Sequence, residues 1–236
     1  MQIATEIDTT TAPRIPLTKE RVLAAAVAFA DREGIQALSM RKLGHELGVE
    51  AMSLYNHVAN KEAILDGVVD AIMEEFEEAL GGFDVPSNGS DWKANLRGRI
   101  LTAREVMLRH PWVPGVIETR TTISPIMMRY FDTSIGILRE GGFSYDLLHH
   151  AMHTFGSRAL GFSQELFEPD GDEEPDQDAA VMLERMADQL PYVVGMMSEI
   201  VHDDPDSTIG WCDDQTEFEF GLDLILDGLE RLRDTA

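Results

Sequence analysis

Cysteine is nearly absent from this 236-residue chain: Cys212 stands alone. A lone cysteine excludes an intrachain disulfide framework and fits a reducing compartment. Long apolar runs are missing as well, and nothing approaches the roughly 18–20 consecutive apolar residues that a membrane span needs. The opening segment MQIATEIDTTTAPRIP has neither a basic start nor an apolar stretch. It reads as a flexible arm, residues 1–16, rather than a secretory signal. Strand-like alternation is lacking, and so are phosphate-loop, nucleophile-elbow, zinc-protease and dinucleotide-binding motifs. These gaps lead us to expect a cytoplasmic all-α protein that is not an enzyme and uses no cofactor or metal.

Positive charge is scarce too. Lys and Arg number 19 against 43 Asp and Glu, for a formal net charge of −24. Spread evenly, that excess would argue against nucleic acid, because DNA binding rests on neutralising phosphates. It is not spread evenly. Residues 1–62 hold seven basic side chains (Arg14, Lys19, Arg21, Arg32, Arg41, Lys42, Lys61) against eight acidic ones, whereas residues 63–236 hold twelve against thirty-five. An acidic body held beyond a Debye length of about 8 Å from the phosphates repels them weakly, and it keeps the protein soluble.

What is abundant is helical periodicity. Thr18 reads as an N-cap for KERVLAAAVAFADRE, with Val22, Ala26, Phe29 and Ala30 on one face and Gly34 as the stop. Ser39 caps a short second helix that Gly48 ends, and a third runs from near Glu50 to about His57. A fourth, predicted over residues 61–80, closes at Gly81-Gly82. The turn cluster Asp84–Asp91 leads to a helix over 92–109, capped by Ser90 or Asp91, and a short one around 113–118. Ser124-Pro125 opens another helix that stops at Gly141-Gly142. Ser144 caps the next, expected to reach about Phe167. Beyond the acidic loop 168–178 (EPDGDEEPDQD), helical stretches are expected over 179–189, 191–202 and 214–233.

Residues 39–58, SMRKLGHELGVEAMSLYNHV, carry the most informative pattern. Leu43, Leu47, Val49 and Leu54 fall where two short helices crossing steeply need apolar contacts. Gly44 permits close approach and Gly48 the sharp turn. This is a helix-turn-helix or an ordinary αα-hairpin. In the former, the second helix enters the major groove, and its exposed residues mix base-reading and phosphate-contacting types.

The run LSMRKLGHELGVEAMSLYNHVANKEAILD (Leu38–Asp66) resembles the DNA-binding domain of the TetR (Tet repressor) family. Its marks are Leu54-Tyr55-Asn56-His57-Val58 followed by Asn60-Lys61 and Ile64-Leu65. The resemblance implies an N-terminal three-helix helix-turn-helix domain over residues 17–62 and a ligand-binding and dimerisation domain over 63–236. It places Arg41, Ala51, Met52, Ser53, Tyr55, Asn56, His57 and Lys61 against double-stranded DNA. Tyr55, His57 and Lys61 should fix phosphates, and Arg41, Met52 and Ser53 should reach base edges. Ala51 and Asn56 depart from the family's founding member, which has Gln and Trp there, so its operator does not carry over.

More loosely, Arg109-His110-Pro111-Trp112 and the tail Phe218–Leu229 resemble the Tet-repressor-type regulatory domain. Glu77, Arg99 and Ile117 stand where its drug-binding members carry His, Asn and His. A magnesium–tetracycline chelate should therefore not bind in the same way. Candidate lining of an effector site comes from Phe76, Arg99, Ala103, Met107, His110, Trp112, Ile117, Met127, Met128, Phe131, Met152 and Phe155. The twelve methionines suggest an adaptable apolar surface. His110 reads equally as a polar handle or as a satisfied core histidine.

Two heptad-like seams complete the pattern: Leu148, Met152, Phe155, Ala159 and Phe162, then Phe218, Leu222, Ile225 and Leu229. Such seams suit a four-helix bundle across a homodimer's two-fold axis, or the chain's own core. His149, His150 and His153 lack the carboxylate spacing of a metal site. The expected function is a transcription regulator, a repressor released from a palindromic operator by a small-molecule effector. An activator or co-repressed regulator, and a binding protein or enzyme without DNA function, are the alternatives.

Overall fold

The computed structural model describes residues 16–82, 91–161, 189–192, 194–195 and 214–235, and every regular element among them is helical. The arm up to residue 15, the acidic loop 168–178, Ser90, Phe162, Cys212 and most of 179–202 lie outside the described residues, as does the side chain of Ala159.

The first helix, α1, spans Lys19–Glu33. Thr18 is extended, and its Oγ1 accepts the Arg21 N–H at 3.2 Å, which satisfies one of the donors a helix start leaves open. Val22, Ala26, Phe29 and Ala30 are its buried stripe, and Gly34 ends it at φ 79°. A 3-10 turn over Ile35–Ala37 leads to Ser39, whose Oγ caps α2, Met40–Glu46, by accepting the Lys42 N–H at 3.3 Å.

Gly48 turns the chain at φ 67° into α3, Ala51–Leu54. A Cβ on Gly44 would sit 2.9 Å from the Val49 carbonyl oxygen and 3.1 Å from the Ala51 nitrogen, so this crossing is closed to any other residue. The recognition helix is shorter than the sequence pattern indicates. The Leu54 carbonyl accepts from both His57 (2.9 Å) and Val58 (3.0 Å), so the segment after Leu54 tightens into turns instead of continuing as α-helix.

Asn60 then caps α4, Lys61–Ala79, its Oδ1 accepting the Ala63 N–H at 2.8 Å. One end of α4 packs on α1, and its length also meets α5 (Trp92–Arg109), α6 (Val113–Glu118) and α7 (Pro125–Glu140). A single apolar cluster therefore runs from Val22, Leu43 and Leu54 through Ile64, Val68 and Ile72 to Val106, Trp112 and Met127.

A second cluster joins α5 and α7 to α8 (Tyr145–Gly161) and the last helix, α9 (Asp214–Thr235). Trp92, Leu96, Leu138, Phe143 and Leu148 meet Phe218, Leu222, Leu226 and Leu229 there. Along its flank, α5 presents basic groups to acidic α9. Arg97 bonds Asp223 (2.7 Å) and Glu219 (2.6 Å), and Lys93 bonds Asp227 and Glu230.

Within one chain, the described members of the two seams expected at a dimer interface face the second cluster. Leu148, Phe155, Phe218, Leu222 and Leu229 are buried within one chain, while Met152 and Ile225 are half-buried at the edge of the same cluster. A heptad repeat marks an apolar face without naming what covers it. Here that face packs on α5, α7 and α8, and the ion pairs to α5 flank it. The apolar side chains that α9 leaves exposed are Phe220, Leu224 and Leu232.

Candidate nucleic-acid interface and effector groove

α2 and α3 form a bihelical unit with its apolar contacts inside: Leu43 and Leu54 are fully buried and Val58 nearly so. Several side chains around those anchors face outward. Met52 is 74% and Tyr55 46% exposed, and Arg41 and Asn56 are exposed as well. Ala51, Ser53, His57 and Lys61 are half-buried around them. All eight residues expected to face DNA thus belong to one short stretch of surface, from α2 through α3 to the first residue of α4.

Charge on that surface is available for phosphates. Among the described residues Arg41, Lys42 and Lys61 enter no ion pair, whereas Arg32 is tied to Glu33 (3.2 Å) and Glu46 (3.1 Å). Lys61 opens α4, where the helix dipole and unpaired N–H groups also favour an anion. Sequence reasoning passed over Lys42. It is exposed, its ammonium lies 5.7 Å from the Phe29 ring centroid, and it lines a shallow hollow with Arg32, Arg41 and His45.

Most of the twelve expected effector residues are divided between the two clusters. Phe76, Ala103, Trp112 and Met127 are buried in the first cluster, with Met107, Ile117 and Phe131 packed against it, while Met152 and Phe155 belong to the second. Met128 lies apart from both clusters. It follows the inward-facing Met127 on α7, which turns it to the outer face, 54% exposed. Arg99 is buried with its guanidinium 4.9 Å from the Tyr130 ring centroid, and burial pushes it below the usual arginine range. His110 is a satisfied histidine: Nδ1 lies 2.7 Å from Asp31 Oδ1 and Nε2 3.0 Å from Glu75 Oε2.

An open groove of about 590 Å³ lies instead between α7 and α8, lined by Phe131, Ile135, Tyr145, Leu148, His149, Met152, His153 and Gly156. Phe131 and Met152 come from the expected set. Tyr145, His149 and His153 were not among the expected effector residues, although the i,i+4 histidine spacing was visible in the sequence. The two imidazoles meet edge to face with centroids 4.6 Å apart. Among the described residues no group of three or more His, Cys, Asp or Glu is arranged to hold a metal.

Residues 22–68 match the family model described as "Bacterial regulatory proteins, tetR family", and residues 85–233 match "Tetracyclin repressor-like, C-terminal domain". The chain belongs to the TetR family. HTH-type transcriptional repressor DrrR1 of Streptomyces coeruleorubidus is 32% identical over 228 residues, spanning 93% of this chain and 80% of that one. Tetracycline repressor protein class C of Escherichia coli is 27% identical, spanning 93% and 94% of the two chains. Among solved structures, the TetR family protein ActR of Streptomyces coelicolor, in complex with (S)-DNPA, matches with a TM-score of 0.67 at 25% identity, covering 91% of this chain and 98% of its own.

This TetR-family chain is accordingly a non-enzymatic, DNA-binding transcription regulator. Among its described residues no helix is long and apolar enough to cross a membrane. Glu77, Arg99 and Ile117, which the resemblance implies stand at tetracycline-binding positions, are otherwise engaged. Glu77 pairs with Arg129 at 3.2 Å, Arg99 stacks on Tyr130, and Ile117 packs on the first cluster.

Proposed function

We propose that this protein is a homodimeric repressor that holds a palindromic operator and releases it when a small apolar effector binds between α7 and α8. The observation behind this reading is the path of α4. Its first residue, Lys61, adjoins the exposed face of α2 and α3, and along its length it packs on α5, α6 and α7. A shift of the sensor helices is therefore carried to the recognition helix by a rigid element. Two half-sites one turn apart demand recognition helices about 34–36 Å apart, and a change in that spacing weakens both contacts together. The effector's leverage equals its differential affinity for the two spacings, about 1.4 kcal/mol per tenfold change in operator affinity.

The groove suits such an effector. Its volume falls within the range of about 300–1,000 Å³ usual for small-molecule sites, and its apolar lining carries a few polar groups for orientation. Gel shift on the gene's own upstream region tests the DNA half: a complex that survives excess shuffled duplex is expected, and indifference to every neighbouring duplex would refute it. A thermal-shift screen of small molecules tests the other half. Hits should release the duplex from the wild type and lose potency in Met152→Ala or His149→Ala. The relative named a repressor favours repression over activation, and gene deletion with a reporter decides the sign.

A further inference from the structure

At the corner between α5 and α6, His110 is 8% exposed and faces a carboxylate on each ring nitrogen. Asp31 comes from α1, in the DNA-reading unit, and Glu75 from α4. The Asp31 oxygen that meets His110 also accepts the Trp112 Nε1–H at 2.7 Å. Arg109 Nε donates to Glu75 at 3.1 Å. The charged groups around the imidazole are therefore Asp31, Glu75 and Arg109, with Trp112 as an uncharged donor. Burial opposes ionisation of Glu75, yet the hydrogen bonds from Arg109 and His110 hold its carboxyl below the usual range.

Elsewhere α1 meets α4 through apolar side chains of the first cluster, while its Arg32–Glu46 pair with α2, at 3.1 Å, lies inside the α1–α3 unit. Apolar contact is non-directional and leaves a packed helix some freedom to roll. Hydrogen bonds between rigid planar groups do not, because they weaken steeply away from their preferred angles. Two donors of fixed geometry, an indole and an imidazole, converge on one carboxylate of α1. Carboxylates only accept, so both His110 contacts are complete only when both ring nitrogens carry hydrogen.

We propose that His110 and Trp112 are positioning residues that clamp Asp31 and thereby set the angle at which the sensor carries the α1–α3 unit. This rests on the operator-binding reading above. A symmetric dimer that engages two half-sites gains from units already held in place, since any roll must be frozen out on binding. The clamp acts on the specific complex and leaves loose contact with phosphates alone.

The test uses the full chain with Asp31→Leu, His110→Leu and their combination, and with Asp31→Asn, which keeps an acceptor for Trp112. Affinity is measured for the upstream duplex and for a shuffled duplex. Each Leu variant should bind the upstream duplex about tenfold more weakly, about 1.4 kcal/mol, with shuffled binding unchanged. The double variant should be no weaker than either single one, and Asp31→Asn should stay within about threefold of wild type, since one acceptor remains. Losses that multiply in the double variant, parallel loss on shuffled DNA, or upstream affinity that is unchanged or raised would overturn the proposal. Should the wild type ignore the duplex, the operator reading fails separately. The clamp is then judged by amide hydrogen exchange: Asp31→Leu should speed exchange in α1–α3 and not in α8 or α9, and equal exchange throughout would overturn it.

Discussion

Tyr55 and Lys61 set what single side chains contribute to the proposed complex. Both lie outside the α2–α3 packing, Tyr55 at 46% exposure, so their removal leaves the fold intact. Lys61→Ala should weaken every operator variant by a similar factor and reduce the salt dependence of binding by about one phosphate contact. Tyr55→Ala should also act uniformly across sequences. Met52 is different: the most exposed apolar side chain of α3, at 74%, it reports on base contact. Met52→Ala should change affinity unequally among operator variants, read by fluorescence anisotropy across a set of single-base substitutions.

Helices respond to substitution according to which face is changed, and α9 offers the sharpest contrast. Leu222 is fully buried beside Phe218 and Leu226, so Leu222→Ala should cost about 2–5 kcal/mol of stability. Phe220 and Leu224, one turn apart and 62% and 54% exposed, belong to the opposite face. Phe220→Glu with Leu224→Glu should preserve the melting temperature of the protomer and yield a monomer by light scattering at micromolar concentration. Element boundaries were largely legible in the sequence, because Thr18, Ser39, Asn60 and Ser124 each supply a cap oxygen to a nearby N–H. The exposure of the residues expected to face DNA was legible for a related reason, since they lie close together in the chain. What covers the α9 seam was not, because α5, whose Arg97 and Lys93 pair with α9, lies more than a hundred positions away. The α7–α8 groove escaped for the same reason, being a gap between helices rather than a motif.

Over the whole molecule, a charge of −24 sets two opposing pH effects. Glu219 is held below the ordinary carboxylate range by hydrogen bonds from Gln215 and Arg97, and Asp227 by Lys93. Depressed carboxyls stabilise the fold above their unfolded values, near 4, and that stability is lost as pH falls through the folded values. Self-repulsion among the remaining carboxylates works the other way and grows toward neutrality. Melting temperature should therefore rise with added salt at pH 7, where repulsion dominates. It should fall as acid protonates the α5–α9 ladder below about pH 4. A melting temperature lowered by salt at neutral pH would show the ladder outweighing the repulsion.

The apolar cluster that begins at Val22 and ends at Met127 has no seam at the junction between reading and sensing parts. A fragment cut after α4 would leave Ile72, Met73 and Phe76 without the α5–α7 side chains that cover them, and would expose a sticky flank. Heat should accordingly melt those two parts together, in one calorimetric transition. For a switch, that continuity means a disturbance of the interior near Trp112 has an unbroken path of packed atoms to Leu43 and Leu54, beside the one through Asp31.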